Sequence, residues 1–395
     1  MEIYIILYGL LFFSAFLDSR KSVGVSRKSV GVSRKSIRVS RKSIRVSKIH
    51  IVYFFVIIFT LFRGLRWETG TDWVQYHDVF YNVSWNNIFK FYRYDGNYSV
   101  VLEYGYVLLN LIVRTVTGNY TFFLLITNFF ILWTYAKASL KLSPRPILCF
   151  IGFLMLDGFF PVRQHIAIAI VIWAFRFAIN RSLIKFVLTV YIASTIHSAA
   201  IILFPFYFLI KIKLNYWSYI VILFCSIITI QVLSPIMFFV MDRVSFLGDS
   251  ILWRLIAYST LTKEDTWGLA RSSFNITFNF ILFTIYYYIV ATYTKDDQRK
   301  NFLWACLNMF LVESVIRNMF SETMQELGRV GSFFSLIGGP ILMAELINAG
   351  ICGKLRKIRI VFIGTFVLFM WYRFYKFTLV HPLLMFPYKS IFDYL

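Results

Sequence analysis

Arginine, carboxylate and histidine gather at a few points where apolar sequence gives way to polar. These are Arg66-Trp-Glu68-Thr-Gly-Thr-Asp72-Trp73, Glu103-Tyr-Gly-Tyr106, Arg163-Gln164, His197-Ser198 and Gly328-Arg329. A water-facing mouth carrying such groups at one membrane depth is what chemistry on an anionic, lipid-borne substrate needs. Each group also has an ordinary role to set beside that one. A single Arg at a helix end is more often a headgroup anchor, and a lone His is more often packed or interfacial. Glu313 and Arg317, four apart on one helix, read as an internal ion pair, while Arg176 and Glu345 read as snorkelling side chains.

The elements that must hold these groups are apolar helices. Of 395 residues, 59% are apolar and only 15% are charged, and mean hydropathy is +0.68, so nearly every stretch long enough to be a helix is apolar enough to leave water. Lipid admits neither open strands nor exposed loops. The expected fold is therefore an all-α polytopic integral membrane protein, one domain over 1–395, rather than a string of globular domains. Spans are expected over 3–17, 49–65, 120–136, 147–160, 164–179, 183–197, 199–210, 217–235, 274–293, 301–320, 330–348 and 358–378, about twelve transmembrane helices in all. The first has Glu2 and no basic residue ahead of it, which favours a retained helix over a cleaved signal.

Charge orients this bundle. Residues 18–48 form a basic loop built on four tandem heptapeptides, Ser19-Arg-Lys-Ser-Val-Gly-Val and its copy, then Ser33-Arg-Lys-Ser-Ile-Arg-Val and its copy, supplying half of the net +22. The near-identical units are too few to bury a coiled-coil core and read as an expanded spacer, with contact to anionic lipid as the functional alternative. No aromatic interleaving accompanies them, so nucleic acid is not expected as a partner. With this loop cytoplasmic, Lys137, Lys141, Arg145, Arg181, Lys185, Lys211, Lys213, Arg299 and Lys300 fall on the same side, as the positive-inside rule requires. The apolar stretch 102–117 would invert that arrangement if it crossed. It is expected to be an interfacial or re-entrant helix within an outer loop, 66–118, with a second outer loop at 236–273.

Several chemistries are unsupported. There is no GxxxxGK[ST] or GxGxxG phosphate loop, no HExxH, and no outward Asp-x-Asp pair, and the four cysteines stand far apart. No metal and no cofactor is expected. A transporter would place charge near the midplane and carry an inverted repeat; neither is visible.

The run Arg66…Gly70-Thr71-Asp72-Trp73…Tyr76, then Glu103-Tyr-Gly-Tyr106…Asn110, Arg163-Gln164-His-Ile-Ala167 and His197-Ser198-Ala199, resembles the EpsG-like family of Wzy-type polysaccharide repeat-unit polymerases, over roughly 50–210. Tyr104 stands where that family often has Pro, and Trp73 where Tyr is commoner. The resemblance implies a glycosyltransferase in the bacterial cytoplasmic (inner) membrane, its active face outward. It would transfer a glycan from undecaprenyl pyrophosphate to a hydroxyl of a new lipid-linked oligosaccharide, working beside a chain-length regulator and a flippase. Such a site needs cations for the pyrophosphate, for which Arg163 and Arg329 come first and Arg66 next. Asp72, Glu68 and His197 compete to orient or deprotonate the hydroxyl. Gln164, Glu103, Trp73, Tyr76 and Tyr106 would contact the glycan, the aromatics by stacking on sugar rings. A flippase for the same lipid-linked unit, or a glycan ligase, is the alternative reading.

Overall fold

The computed structural model describes residues 2–19, 34–70, 72–89, 92–95, 98–158, 160, 162–228, 267–294, 296–320, 329–352, 364, 368, 371–372, 375 and 388–393. Helices α1 (Glu2–Ser19) and α2 (Arg34–Gly64) come first. Short α3 (Trp73–Asn82) and a two-stranded hairpin, β1 (Tyr92–Asp95) and β2 (Tyr98–Val101) paired Tyr92 to Val101, fill the expected outer loop. Then come α4 (Tyr104–Thr117), α5 (Tyr120–Leu142), α6 (Pro146–Asp157), α7 (Arg163–Ile179) and α8 (Leu183–Ile196). A 3-10 turn, Ser198–Leu203, leads to the single turn α9 (Phe206–Leu209) and to α10 (Tyr216–Ile228). The last long helices are α11 (Trp267–Tyr288), α12 (Asp297–Phe320) and α13 (Ser332–Cys352).

Local sequence sets several of these boundaries. Asn119 caps α5 by accepting the Phe122 N–H at 3.2 Å, and Pro146, which has no N–H to leave unsatisfied, opens α6. α13 lies close against α12, because a Cβ on Gly338 would stand 2.6 Å from the Cys306 carbonyl oxygen. The core is one continuous apolar cluster running from Tyr4 in α1 to Ile347 in α13.

Three expectations change in detail. The second helix was expected to start at 49 but runs back to Arg34, through the last two heptapeptides. Those units carry Ile-Arg where the first two carry Val-Gly, and glycine costs a helix interior about 1 kcal/mol. The expected span 199–210 is instead a 3-10 turn and one helical turn. Glu345 does not reach out to headgroups; it accepts from Arg299 Nη2 at 2.6 Å.

Among the described residues, two helices are by length and composition apolar and long enough to cross a membrane, α5 and Ser332–Ala349 of α13, with shorter apolar helices around them. The all-helical, membrane-like architecture holds, and the small hairpin is its one described sheet. Helix breaks at Gly158 and His197 keep α6 and α8 short. α4 has 14 residues, roughly 21 Å of rise, and packs on α3, α5 and α8. Most of 358–378 and of the loop 236–273, and the end of the expected span 217–235, lie outside the described residues.

The basic segments do converge at one end of the bundle. Lys213 donates to Asn301 at 2.5 Å, Arg299 to the Leu142 carbonyl at 2.6 Å, Arg145 to Asn348 at 3.1 Å and Arg181 to the Tyr207 carbonyl at 3.1 Å. The starts of α5 and α7 and the end of α8 lie at the other end.

Candidate functional site

Two arginines near the end of α2 divide the work of holding charge. Arg63, fully buried, donates from Nη1 to Asp157 Oδ2 at 2.8 Å and from Nη2 to the Gly158 carbonyl at 2.8 Å. Asp157 also accepts the Tyr135 hydroxyl at 2.6 Å, and His165 Nε2 stands 3.5 Å away. A buried ion pair persists where its remaining lone pairs are satisfied, and this one staples α2, α5, α6 and the loop that delivers Arg163.

Arg66, three residues on, has no such carboxylate partner among the described residues. It is 1% exposed, its guanidinium lies 4.7 Å over the Phe160 ring, and its Nε and Nη1 make no hydrogen bond. Burial pulls its pKa down to about 10, which leaves it cationic at neutral pH. Its backbone is fixed by the far end of the chain. Arg66 bridges Ser390, Trp67 N–H donates to the Lys389 carbonyl at 2.8 Å, Ile391 N–H to Leu65 at 2.9 Å, and the Tyr388 hydroxyl to Phe62 at 2.6 Å.

α3 roofs this charge. Asp72 occupies its N-cap position, with its side chain exposed and making no capping hydrogen bond. It lies within electrostatic reach of both Arg66 and Arg163. Trp73 stacks on His77 at 4.8 Å and meets Tyr120 edge-on at 5.5 Å, and Tyr76 meets Tyr106 at 5.5 Å. These ring faces are used in packing and the rings are buried, so Trp73, Tyr76 and Tyr106 do not present the stacking surfaces expected for sugar. Trp73 Nε1 and the Tyr120 hydroxyl are buried without a hydrogen-bond partner among the described residues.

Arg163 opens α7 and donates to Glu103 Oε2 at 2.6 Å, while Glu103 Oε1 accepts the Ser198 N–H at 2.9 Å and its hydroxyl at 2.8 Å. Burial would raise the Glu103 carboxyl, but Arg163 and the Ser198 donors hold it below the usual range. Gly105 makes this junction possible: a Cβ there would lie 2.7 Å from the Thr195 carbonyl oxygen, so only glycine lets α4 approach α8 this closely. Arg163 Nε is buried and unpartnered.

His197 sits in the same junction and reads differently from a general base. Its Nδ1 accepts the Ala199 N–H at 3.3 Å, so the neutral ring carries its proton on Nε2. Burial, and then the charge of Arg163, pull its pKa to about 4. Glu68, with φ +45, is exposed and lies 3.5 Å from Lys389. Gln164 donates to Ser332 at 2.8 Å, joining α7 to the start of α13. There Arg329 begins a 3-10 turn packed on Ser198–Leu203; its side chain lies outside the described residues.

The structure thus gathers Arg66, Asp72, Trp73, Tyr76, Tyr106, Glu103, Arg163, Gln164 and His197 at one end of the bundle. The Arg63–Asp157 pair and Tyr120 are additions to the sequence reading. An ionisable residue inside an apolar run, as Asp157 is, was the signal available.

Apolar helices with a largely buried cluster of arginine, carboxylate and histidine at one end of the bundle define a membrane protein with an end-facing site. The EpsG family model matches residues 49–390, and the chain belongs to the EpsG family, a family of Wzy-like polysaccharide polymerase-type proteins. No curated protein and no solved structure gives a match. Family and architecture together place the protein in polysaccharide biosynthesis at a membrane.

Proposed function

We propose that this protein polymerises undecaprenyl-pyrophosphate-linked oligosaccharide units on the outer face of the bacterial cytoplasmic membrane. The reading is carried by Arg66, a buried guanidinium with unpartnered Nε and Nη1 beside the unpartnered Trp73 Nε1 and Tyr120 hydroxyl. Every open atom in that set can donate a hydrogen bond, and an acceptor-only ligand such as a pyrophosphate answers it.

In the transfer, a hydroxyl oxygen of the incoming unit attacks the anomeric carbon of the growing glycan. The bond from that carbon to the pyrophosphate oxygen breaks, the electron pair leaves with the pyrophosphate, and the hydroxyl proton passes to a carboxylate. Arg66 binds the developing anion, with Arg163 Nε as a second donor. Asp72, exposed and within electrostatic reach of both arginines, takes the proton. Glu103 and His197 hold Arg163 and the Ser198 turn in place and do not themselves react. A low-dielectric site makes the arginine contacts worth more to a charge that grows during the reaction.

The test is glycan analysis of cells that express Asp72→Asn at wild-type membrane level. Polymerase chemistry gives single lipid-linked units on the outer face and no ladder. A flippase leaves those units on the cytoplasmic face, and a ligase leaves finished polymer on its lipid carrier.

A further inference from the structure

The end of the bundle opposite Arg66 holds two adjoining cavities that glycan transfer does not use. α5 begins beside Trp73 and, at about 1.5 Å per residue, delivers Lys141 some 30 Å away. The larger cavity, about 760 Å³, lies among the ends of α5 and α7, the 210–213 segment and the start of α12. Lys141, Lys211, Lys213 and Arg299 line it against a single lining carboxylate, Asp296. The smaller, about 300 Å³, is mostly apolar, walled by Ala138, Ile172, Trp173 and Phe175, with Lys137 and Arg176 also on its lining. Both are lined by Lys141, Leu142, Ile179, Asn180 and Phe302, so they share a wall.

The charges in the larger cavity are only partly spent internally. Arg299 is committed to Glu345 and the Leu142 carbonyl, and Asp296 Oδ1 caps α12 by accepting the N–H groups of Gln298 and Arg299 at 2.9 and 3.2 Å. The three lysines differ. Lys213 donates to the neutral amide of Asn301, Lys141 lies 5.7 Å over the Trp173 ring, and Lys211 is exposed. None of the three pairs with a carboxylate among the described residues.

Three ammonium groups with no carboxylate ion pair among the described residues, beside a mostly apolar cleft, match a ligand with an anionic head and a hydrocarbon tail. A free phosphate would use the first cavity and leave the second without a role. We propose that this pair of cavities binds an anionic phospholipid of the leaflet at the basic end, with its phosphodiester among Lys141, Lys211 and Lys213 and an acyl chain along Ile172 and Trp173. Basic pockets between membrane helices on the positive side recognise headgroups in this way. The site is independent of the glycan chemistry.

The test is native mass spectrometry of the full-length protein released from nanodiscs that mix phosphatidylcholine with phosphatidylglycerol. Wild type should retain phosphatidylglycerol in preference to phosphatidylcholine. Replacing Lys141, Lys211 and Lys213 together by Gln should weaken retention roughly a hundredfold, from the usual contribution of each lysine near anionic lipid. The equal charge change K21Q/K28Q/K35Q in the heptapeptides should leave retention unchanged. Trp173→Ala, which keeps all three lysines, should also lower it. Wild-type retention by the triple variant, or equal loss in the heptapeptide control, would overturn the proposal. Inorganic phosphate displacing the lipid at matched concentration would show a free-phosphate site and overturn it equally.

Discussion

Arg163 Nη1 lies 2.6 Å from Glu103 Oε2, joining two residues 60 apart in the chain, and the second Glu103 oxygen holds the Ser198 turn. The start of α4, the start of α7 and the turn after α8 therefore share one carboxylate. Glu103→Gln should cost about 1.5–3 kcal/mol, the usual size for a charged hydrogen bond. The Glu103→Gln/Arg163→Gln double variant should lose less than the sum of the two single losses. Thermal unfolding in detergent measures both, and additive losses would mean that the pair contributes no coupling. The carboxyl is held below its ordinary value of 4.5, so its contribution is complete above that value and is lost as pH falls through the lowered one.

Gly105→Ala should lower stability by about 1–3 kcal/mol, the usual cost of overpacking. The new methyl would lie 2.7 Å from the Thr195 carbonyl, and backbone cannot rotate away as a side chain can. An unchanged melting temperature would show that α4 and α8 are not held this closely.

His197 is held neutral, with its pKa near 4 rather than the ordinary 6.5. Between those values the unfolded chain binds more protons than the folded one, so stability rises with pH across that window and is flat above it. Activity should therefore show no histidine limb from roughly pH 5.5 to 7.5. His197→Asn, which keeps an acceptor for the Ala199 N–H, should stay active, whereas His197→Ala should lose about 1 kcal/mol of capping stability. Inactive His197→Asn with normal stability would restore the ring as a base.

Much of this site could be read from sequence because its residues fall in short motifs at the ends of apolar runs. Arg66, Asp72, Glu103, Arg163 and His197 all stand where a helix begins or ends, and the structure brings those ends together. What could not be read is which charge neutralises which. Glu103 meets Arg163 and Asp157 meets Arg63 across long separations that no local pattern records, so Arg163 ranked above Arg66 although it is the compensated one. The start of α2 is masked in the sequence for a different reason, since the repeat hides the loss of its glycines after Gly31.

The strap from Tyr388 to Asp393 is a second long-range contact with a consequence. Ending the chain after 387 removes the Lys389 carbonyl that accepts the Trp67 N–H, the Ile391 N–H that donates to the Leu65 carbonyl, and the Tyr388 hydroxyl that donates to Phe62. Polymer should disappear while membrane insertion stays normal. Full-length polymer from the shortened chain would show that Arg66 does not need the strap.

Arg66 itself decides between a buried anchor and an anion site. Losing one charged hydrogen-bonding partner of a desolvated anion costs about 2–5 kcal/mol, or roughly 30- to 4,000-fold in transition-state binding. Arg66→Lys keeps charge but removes the planar fork, so Arg66→Lys and Arg66→Ala should both fail, and Arg163→Lys should be the milder change because Glu103 accepts an ammonium as well. The measurement is the glycan ladder from cells carrying each variant at matched membrane levels. Single lipid-linked units accumulating in both Arg66 variants is the expected result, and a wild-type ladder from Arg66→Ala would contradict it.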